Sequence, residues 1–270
     1  MNAVEVKSLK KSYGEHAVLK GIDFTVQKGE IFALLGVNGA GKTTALECIE
    51  GLRSFDEGEV NLNGKIGIQL QSATLQAYIK PLEAINLFAK WNKTAPDKAM
   101  LEKLGVYELS KSRYADLSTG QKRRLHLALA LIANPDIIFL DEPTAGLDVE
   151  GRVSLHEQIK ELRASGKTIV LASHDMAEVE TLCDRIAILK EGKIAFSGTI
   201  DALTATVGRR HTVHIATASG QVSFETDNLS RCLLEKLAEY RDNGIEIYGI
   251  NTDRGTLEQH FMSIARSEEK

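Results

Sequence analysis

The segment 36–44, Gly-Val-Asn-Gly-Ala-Gly-Lys-Thr-Thr, restricts what this 270-residue chain can fold into more than any other part of it. It follows the apolar run 31–35 and precedes a stretch, 44–50, with the composition of a helix. In a strand, turn and helix of this kind, glycines let backbone N–H groups turn inward, and the helix N-terminus adds partial positive charge. Lys42 can reach the β- and γ-phosphates of a nucleotide, and the Thr43 hydroxyl can bind a bridging Mg²⁺. The pattern predicts a nucleoside triphosphate site.

Two carboxylates follow a second apolar run, at residues 137–140: these are Asp141 and Glu142. A buried strand of a parallel sheet that ends in acids places them beside the phosphate loop. Asp141 would then hold the Mg²⁺ shell, through water, and Glu142 would orient or deprotonate the attacking water. The alternative is an ordinary strand end with solvated acids. A phosphate loop on the same chain favours the functional interpretation.

A helix that opens at residues 118–121 has two interpretations. Ser118 and Gln121 have the spacing of a capping box, which is a purely structural device. However, the cations of residues 122–124 follow in the first turn, where the helix dipole disfavours positive charge. Extra positive charge at a helix N-terminus makes sense if an anion is brought to it.

The pattern of strands and helices predicts an α/β fold with a mostly parallel, covered core sheet. Alternating apolar residues at 4–6 and 22–26 predict half-buried strands. The stretch 72–134 is helical in character and is predicted to form a lobe, in which Pro81 suits a first helical position and Asp97 can cap a second helix. We predict one domain over residues 1–203 and a small α/β appendage over 204–270, with a last helix from residue 256.

Composition excludes several classes of protein. The net charge is −4, and the charged residues form no basic region that would suggest nucleic acid as the main partner. The three cysteines lie far apart, without the spacing of a disulfide framework or a zinc site. The N-terminus lacks the apolar core of a signal peptide, and no apolar run approaches the roughly 18 residues that span a bilayer. We therefore expect a soluble protein that reaches a membrane only through a partner.

Taken together, the motifs resemble the nucleotide-binding subunit of ATP-binding cassette (ABC) proteins over residues 1–203. The resemblance implies a phosphate-loop NTPase fold with an antiparallel β subdomain beside the mostly parallel core sheet. Segment 36–44 resembles the Walker A loop, and 137–141 resembles the Walker B strand. Segment 117–121, Leu-Ser-Thr-Gly-Gln, resembles the signature motif, which separates this family from other phosphate-loop ATPases.

Further elements of the family follow in the expected order. Segment 143–148 resembles the stretch that ends in the D-loop, and Ser-His-Asp at 173–175 resembles the switch-histidine stretch. Gln71 is aligned with the glutamine of the Q-loop, in preference to Gln69 of the same loop. Tyr13 resembles the residue that stacks on adenine.

The resemblance implies that two such domains pack head to tail, with each ATP between the Walker A loop of one subunit and the signature of the other. The residues it implies for ATP binding are Tyr13, Gly36, Asn38, Gly39, Ala40, Gly41, Lys42, Thr43, Thr44, Ser118, Gly120, Gln121 and Asp148. The implied catalytic residues are Glu142, His174 and Gln71, and the implied Mg²⁺ ligands are Thr43, Gln71 and Asp141.

The sequence departs from the usual family pattern in three places. Val37 stands where proline is common, which leaves the backbone amides of the loop unchanged. Thr119 replaces the more frequent glycine of the signature and stiffens that loop. The stretch 77–81 after the Q-loop is atypical.

By the same resemblance we expect the ATP-hydrolysing subunit of an ABC transporter at the cytoplasmic face of the cell membrane. Its expected partners are an integral-membrane permease and a second copy of itself or a paralogous subunit, with no nucleic acid. The short helical lobe and small appendage look most like ATPases of bacterial multidrug, antibiotic or ion exporters. The alternatives are a soluble ABC ATPase acting on ribosomes or nucleic acid, and a nucleotide-sensing regulator that hardly hydrolyses ATP.

Overall fold

The structure is a computed structural model that describes residues 1–70, 74–207, 211–217, 220–226, 228–254 and 261. The chain divides into two compact units, Met1–Ser197 and Gly198–Lys270. The boundary predicted between residues 203 and 204 falls inside a helix, Ile200–Val207, that the sequence pattern did not indicate. This helix lies within the second of the two units.

The described residues up to 198 form two sheets. The strands described up to residue 198 are β1 (Asn2–Tyr13), β2 (His16–Gln27), β3 (Ile31–Leu35), β4 (Glu57–Leu62), β5 (Ile66–Gln69), β6 (Ile137–Asp141), β7 (Thr168–Ser173), β8 (Arg185–Lys190) and β9 (Lys193–Gly198). The core sheet has the order β5-β6-β7-β3-β8-β9, and the pairs from β5 to β8 are parallel. The second sheet, β2-β1-β4, is antiparallel.

Burial explains why these strands form. Every residue of β3, β6 and β7 is buried, as expected for the centre of a parallel sheet that is covered on both faces. In β1 and β2 the buried residues alternate with more exposed ones, so one face packs on the core cluster. Phe24 of β2 stacks on Phe32 of β3 with ring centroids 5.3 Å apart, which joins the two sheets. The predicted parallel core sheet and antiparallel β subdomain are confirmed.

The helices of this part are α1 (Lys42–Ile49), α2 (Pro81–Trp91), α3 (Lys98–Lys103), α4 (Thr119–Leu131), α5 (Val149–Ala164) and α6 (Met176–Leu182). Helices α2 to α4 lie between β5 and β6 in the chain and account for the predicted helical stretch. Pro81 opens α2, where its missing N–H costs no hydrogen bond. Asp97 caps α3 by accepting from the N–H groups of Ala99 and Met100. Both features were predicted from the sequence.

The second unit comprises α7 (Ile200–Val207), β10 (His211–Thr217), β11 (Gly220–Thr226), α8 (Leu229–Asp242) and β12 (Ile247–Arg254). Its strands form an antiparallel sheet in the order β11-β10-β12, and Val213 and Ile215 of β10 are fully buried. The last helix predicted from residue 256 lies, except for Phe261, outside the described residues.

Across the described parts of both units, no helix has the length and apolarity needed to cross a membrane.

Candidate active site

The predicted site residues of the central strands meet at one edge of the core sheet. Leu35, at the end of β3, lies opposite Ser173 of β7, and Asp141 of β6 lies opposite Ala172. Because these strands are parallel, the segments that leave their carboxyl ends emerge side by side. The phosphate loop, the two acids and the histidine segment are therefore neighbours.

The phosphate loop encloses the Lys42 ammonium. Lys42 is 8% exposed, and its Nζ donates to the carbonyl oxygens of Gly36 at 2.7 Å and Val37 at 3.4 Å. Burial lowers the pKa of Lys42, although the charges of Glu142 and Asp141 act in the opposite direction. The loop, the start of α1 and Glu142 line a cavity of about 320 Å³. A partly desolvated cation at this place can exchange its carbonyl contacts for phosphate oxygens.

Glycines give the loop its shape and leave the start of α1 accessible. Gly41 is the N-cap of α1, with φ at 101°, so that no side chain caps the first N–H groups of the helix. An N-terminus of this kind is suited to an anion. Gly36 is required for a different reason: a Cβ atom there would lie 2.6 Å from the carbonyl oxygen of Leu189.

We expect Gly36→Ala to lower the free energy of unfolding by about 1–3 kcal/mol, because the added methyl group forces the backbone of β8 or of the loop to shift. Urea unfolding measures this change, and nucleotide binding should weaken with it. Gly249→Ala is the matched control, since a Cβ atom there meets nothing within 4 Å. Its effect should stay within about 0.5 kcal/mol. Equal effects of the two substitutions would contradict the close packing of Gly36.

Thr43 and Asp141 offer oxygen atoms suited to a hard divalent cation. Thr43 Oγ1 donates to Asp141 Oδ2 at 3.2 Å, across 98 residues of sequence. Asp141 is 4% exposed, and its Oδ1 has no hydrogen-bond partner among the described residues. Burial raises the pKa of Asp141, and the Thr43 hydroxyl opposes this shift. A buried acceptor without a partner, beside a hydroxyl and a phosphate loop, fits Mg²⁺.

Gln71, the third predicted Mg²⁺ ligand and a predicted catalytic residue, lies outside the described residues. Gln69, at the end of β5, is 2% exposed, and neither atom of its amide group has a hydrogen-bond partner within the described residues. The described part of the chain contains no group of three or more His, Cys, Asp or Glu side chains suited to hold a metal ion.

Glu142 and His174 are in direct contact. The Nδ1 atom of His174 lies 2.8 Å from the Glu142 carboxylate. Glu142 has φ at 48°, a conformation that is uncommon outside glycine, and its N–H donates to Ala172 O at 3.0 Å. Such strain is typical of functional residues that the surrounding structure holds in place. The sequence indicated each residue separately but not their contact.

The capping box predicted at the start of α4 is confirmed. Ser118 Oγ accepts from Gln121 N–H at 3.2 Å, and Gln121 Oε1 accepts from Ser118 N–H at 2.9 Å. Asp148 caps α5 in a similar way, accepting from Gly151 N–H at 2.8 Å. With Gly120, these residues line a cavity of about 270 Å³, and none of the described residues that line it also lines the phosphate-loop cavity. The signature residues and the phosphate loop therefore line different cavities of the described chain.

Tyr13, at the end of β1, is 43% exposed. The Lys11 ammonium and the Arg53 guanidinium carbon lie 5.5 Å and 5.4 Å from the centre of its ring. Its predicted stacking on adenine stays a prediction.

Fold and site together define an α/β protein with a phosphate loop and two acids at the carboxyl edge of a parallel sheet. The family model described as "ABC transporter" matches residues 19–145. The linearmycin resistance ATP-binding protein of Bacillus subtilis is 35% identical over 223 residues, which cover 76% of this chain and 72% of that protein. The Nod factor export ATP-binding protein I of Paraburkholderia xenovorans is 38% identical over 221 residues, 75% of this chain and 73% of that protein.

Among solved structures, an ATP-binding subunit of an ABC transporter superposes with a TM-score of 0.69 at 28% identity, covering 76% of this chain and 92% of that one. This chain belongs to the ATP-binding proteins of ABC transporters. Members of this family bind and hydrolyse ATP and work with membrane permease subunits.

Proposed function

We propose that this chain is the ATP-hydrolysing subunit of an ABC exporter. Two copies, or one copy and a paralogue, enclose two ATP molecules and drive a separate permease from the cytoplasmic face of the membrane. The observation that supports hydrolysis is the 2.8 Å contact between Glu142 and His174, with Glu142 lining the same cavity as Lys42 and Thr43. An acid, a histidine and a phosphate loop in one place suit attack of water on a γ-phosphate.

Each side chain has a distinct role in this proposal. Lys42 and the N–H groups at the start of α1 bind the β- and γ-phosphates. Thr43 and Asp141 hold Mg²⁺, with Gln71 as a further ligand; the ion neutralises charge on the phosphates when bound. Glu142 orients the attacking water and accepts its proton. His174 contacts Glu142 through Nδ1, so its Nε2 atom can contact the γ-phosphate.

The dimer is supported by the two separate cavities of one chain. Phosphate-loop residues line one cavity, while Ser118, Gly120, Gln121 and Asp148 line the other. A complete ATP site in this proposal needs the phosphate loop from one cavity and the signature residues from the other. Head-to-tail pairing of two chains would complete both sites at once, with the γ-phosphate at the N-terminus of α4. Tyr13 would stack on the adenine.

Export is supported by the relatives, one of which is named for linearmycin resistance and another for Nod factor export. A soluble ABC ATPase that acts on ribosomes or nucleic acid is the second candidate, but the net charge of −4 does not favour a polyanion as partner. A regulator that only senses ATP would not need the contact between Glu142 and His174.

A gentle detergent pull-down of the tagged chain from native membranes, followed by mass spectrometry, tests this proposal. We expect one stoichiometric protein with several membrane spans to accompany the chain. The same tag on an unrelated protein is the control. Ribosomal proteins or nucleic acid in the eluate, with the chain absent from membranes, would contradict the exporter proposal and favour the second candidate.

A further inference from the structure

We propose that Arg152 is a positioning residue that couples the two ATP sites of the dimer. It joins the loop that packs on the signature of its own chain to the loop that holds His174. The inference rests on the proposed function, because only in the dimer do the signature and His174 of one chain face different ATP molecules.

The guanidinium group of Arg152 bridges two loops. It lies in the first turns of α5, where its Nε donates to the carbonyl oxygen of Leu147 at 3.3 Å and its Nη1 donates to Asp175 Oδ2 at 3.0 Å. Leu147 directly precedes Asp148, and Asp175 directly follows His174. The Arg152 guanidinium therefore contacts the neighbours of two predicted site residues, Asp148 and His174.

On one side, the bridge reaches the signature. Leu147 is 8% exposed, and a Cβ atom on Gly120 would lie 3.6 Å from Leu147 Cδ2. A Cβ atom on Gly146 would lie 3.4 Å from the Thr119 methyl group, so Gly146 also packs on the signature. Thr119 stands where the family commonly has glycine, and its methyl group fills space that glycine would leave open. The signature therefore packs against the segment 146–147, and the carbonyl oxygen of Leu147 in that segment accepts from Arg152.

On the other side, the bridge reaches the histidine loop. Asp175 Oδ1 caps α6 by accepting from the N–H groups of Ala177 at 3.0 Å and Glu178 at 3.2 Å. Its own N–H donates to Ser173 Oγ at 3.1 Å, and Ser173 Oγ donates to the buried carboxylate of Glu178. His174 is thus held between two residues of a tight network. The second oxygen of Asp175 is tied to Arg152, so a movement of the guanidinium is passed to this network.

The bridge is too exposed to be a main source of stability. The side chains of Arg152 and Asp175 are 47% and 29% exposed, and ion pairs of this kind contribute at most about 1 kcal/mol. A loss of turnover in a variant that stays folded therefore reports on positioning. The two contacts use different nitrogens of one planar guanidinium, Nε and Nη1, whereas lysine has a single donor nitrogen.

Arg152→Ala tests the inference, with Arg163→Ala as the matched control. Arg163 lies on the same helix, is 46% exposed and pairs with Asp184, which is 31% exposed. Among the described residues, its side chain forms no hydrogen bond or ion pair with either loop. We expect the melting temperatures of both full-length variants to stay within a few degrees of the wild-type value. Their ATP affinities should stay within about twofold of the wild-type affinity. For Arg152→Ala alone, kcat should fall about tenfold and the Hill coefficient for ATP should fall toward 1.

A double-mutant cycle adds a second readout. Asp175→Asn keeps an oxygen that can cap α6 and removes the charge that Arg152 contacts. Because both changes break the same link, the combined variant should have a kcat no lower than that of Arg152→Ala. Additive losses would overturn the inference, as would a kcat and Hill coefficient of Arg152→Ala equal to those of Arg163→Ala.

Two measurements distinguish the absence of the dimer from the absence of coupling between its ATP sites. If Glu142→Gln does not dimerise with ATP in size-exclusion chromatography, the proposed dimer is wrong. If it dimerises while wild-type hydrolysis has a Hill coefficient of 1, only the coupling through Arg152 is overturned.

Discussion

Replacing Glu142 with glutamine should reduce ATP hydrolysis by about a hundredfold to a thousandfold while ATP binding is retained. Glutamine has nearly the same shape and can contact His174, but it cannot accept a proton from water. Lys42, Thr43 and Asp141 would still bind the nucleotide and its ion. ATP should therefore persist in the site and hold two chains together. Phosphate release measures the first effect, and size-exclusion chromatography with light scattering measures the dimer.

Glu157→Gln is the control for this substitution, because Glu157 is an exposed residue of α5 and its replacement removes the same charge. It should hydrolyse ATP at the wild-type rate and show no ATP-dependent dimer that outlasts turnover. Near-wild-type turnover in Glu142→Gln would remove Glu142 from its proposed role.

Replacing Lys42 with alanine should weaken ATP binding by about a hundredfold, the scale expected when a charge-assisted contact to phosphate is lost from a buried site. The ammonium is already held by the loop carbonyl oxygens of Gly36 and Val37. The variant therefore loses the phosphate contact and leaves those oxygens without their donor. Equilibrium binding of a fluorescent ATP analogue measures the loss of affinity, and a thermal melt shows whether the loop remains folded.

Lys10→Ala is the matched control for this charge, since Lys10 forms an exposed ion pair with Glu57 at 2.7 Å. Its removal should change ATP affinity by less than about twofold, because exposed pairs are weak and screened by salt. Unchanged ATP binding in Lys42→Ala would contradict the phosphate-loop proposal.

Features that depend on neighbouring residues could be predicted from the sequence. The caps at Asp97 and Ser118 use hydrogen bonds between residues two or three positions apart, so the residue types at these positions are sufficient to predict the caps. Helix α6 could have been found by the same reasoning. Asp175 followed by Glu178 has the spacing of a capping box, although the resemblance of this stretch to the switch-histidine segment does not indicate a helix.

Strand β5 was missed for a tertiary reason. It has four residues and contains Gly67, which weakens a strand pattern. In the structure, a Cβ atom at Gly67 would collide with the carbonyl oxygen of Ala130, so the close approach of α4 requires glycine there. A residue that argues against a strand locally is necessary for the packing of that strand.

By itself, the sequence determined the phosphate loop, the acids that end a buried strand and the capped helix of the signature. Each of these uses backbone groups or side chains of consecutive residues, so local order is sufficient to specify it. Only the tertiary structure decided which of them meet. Thr43 contacts Asp141 across 98 residues, Glu142 contacts His174 across 32, and Arg152 contacts Asp175 across 23. These contacts depend on the order and register of parallel strands, which arise from the packing of the whole core rather than from any one segment.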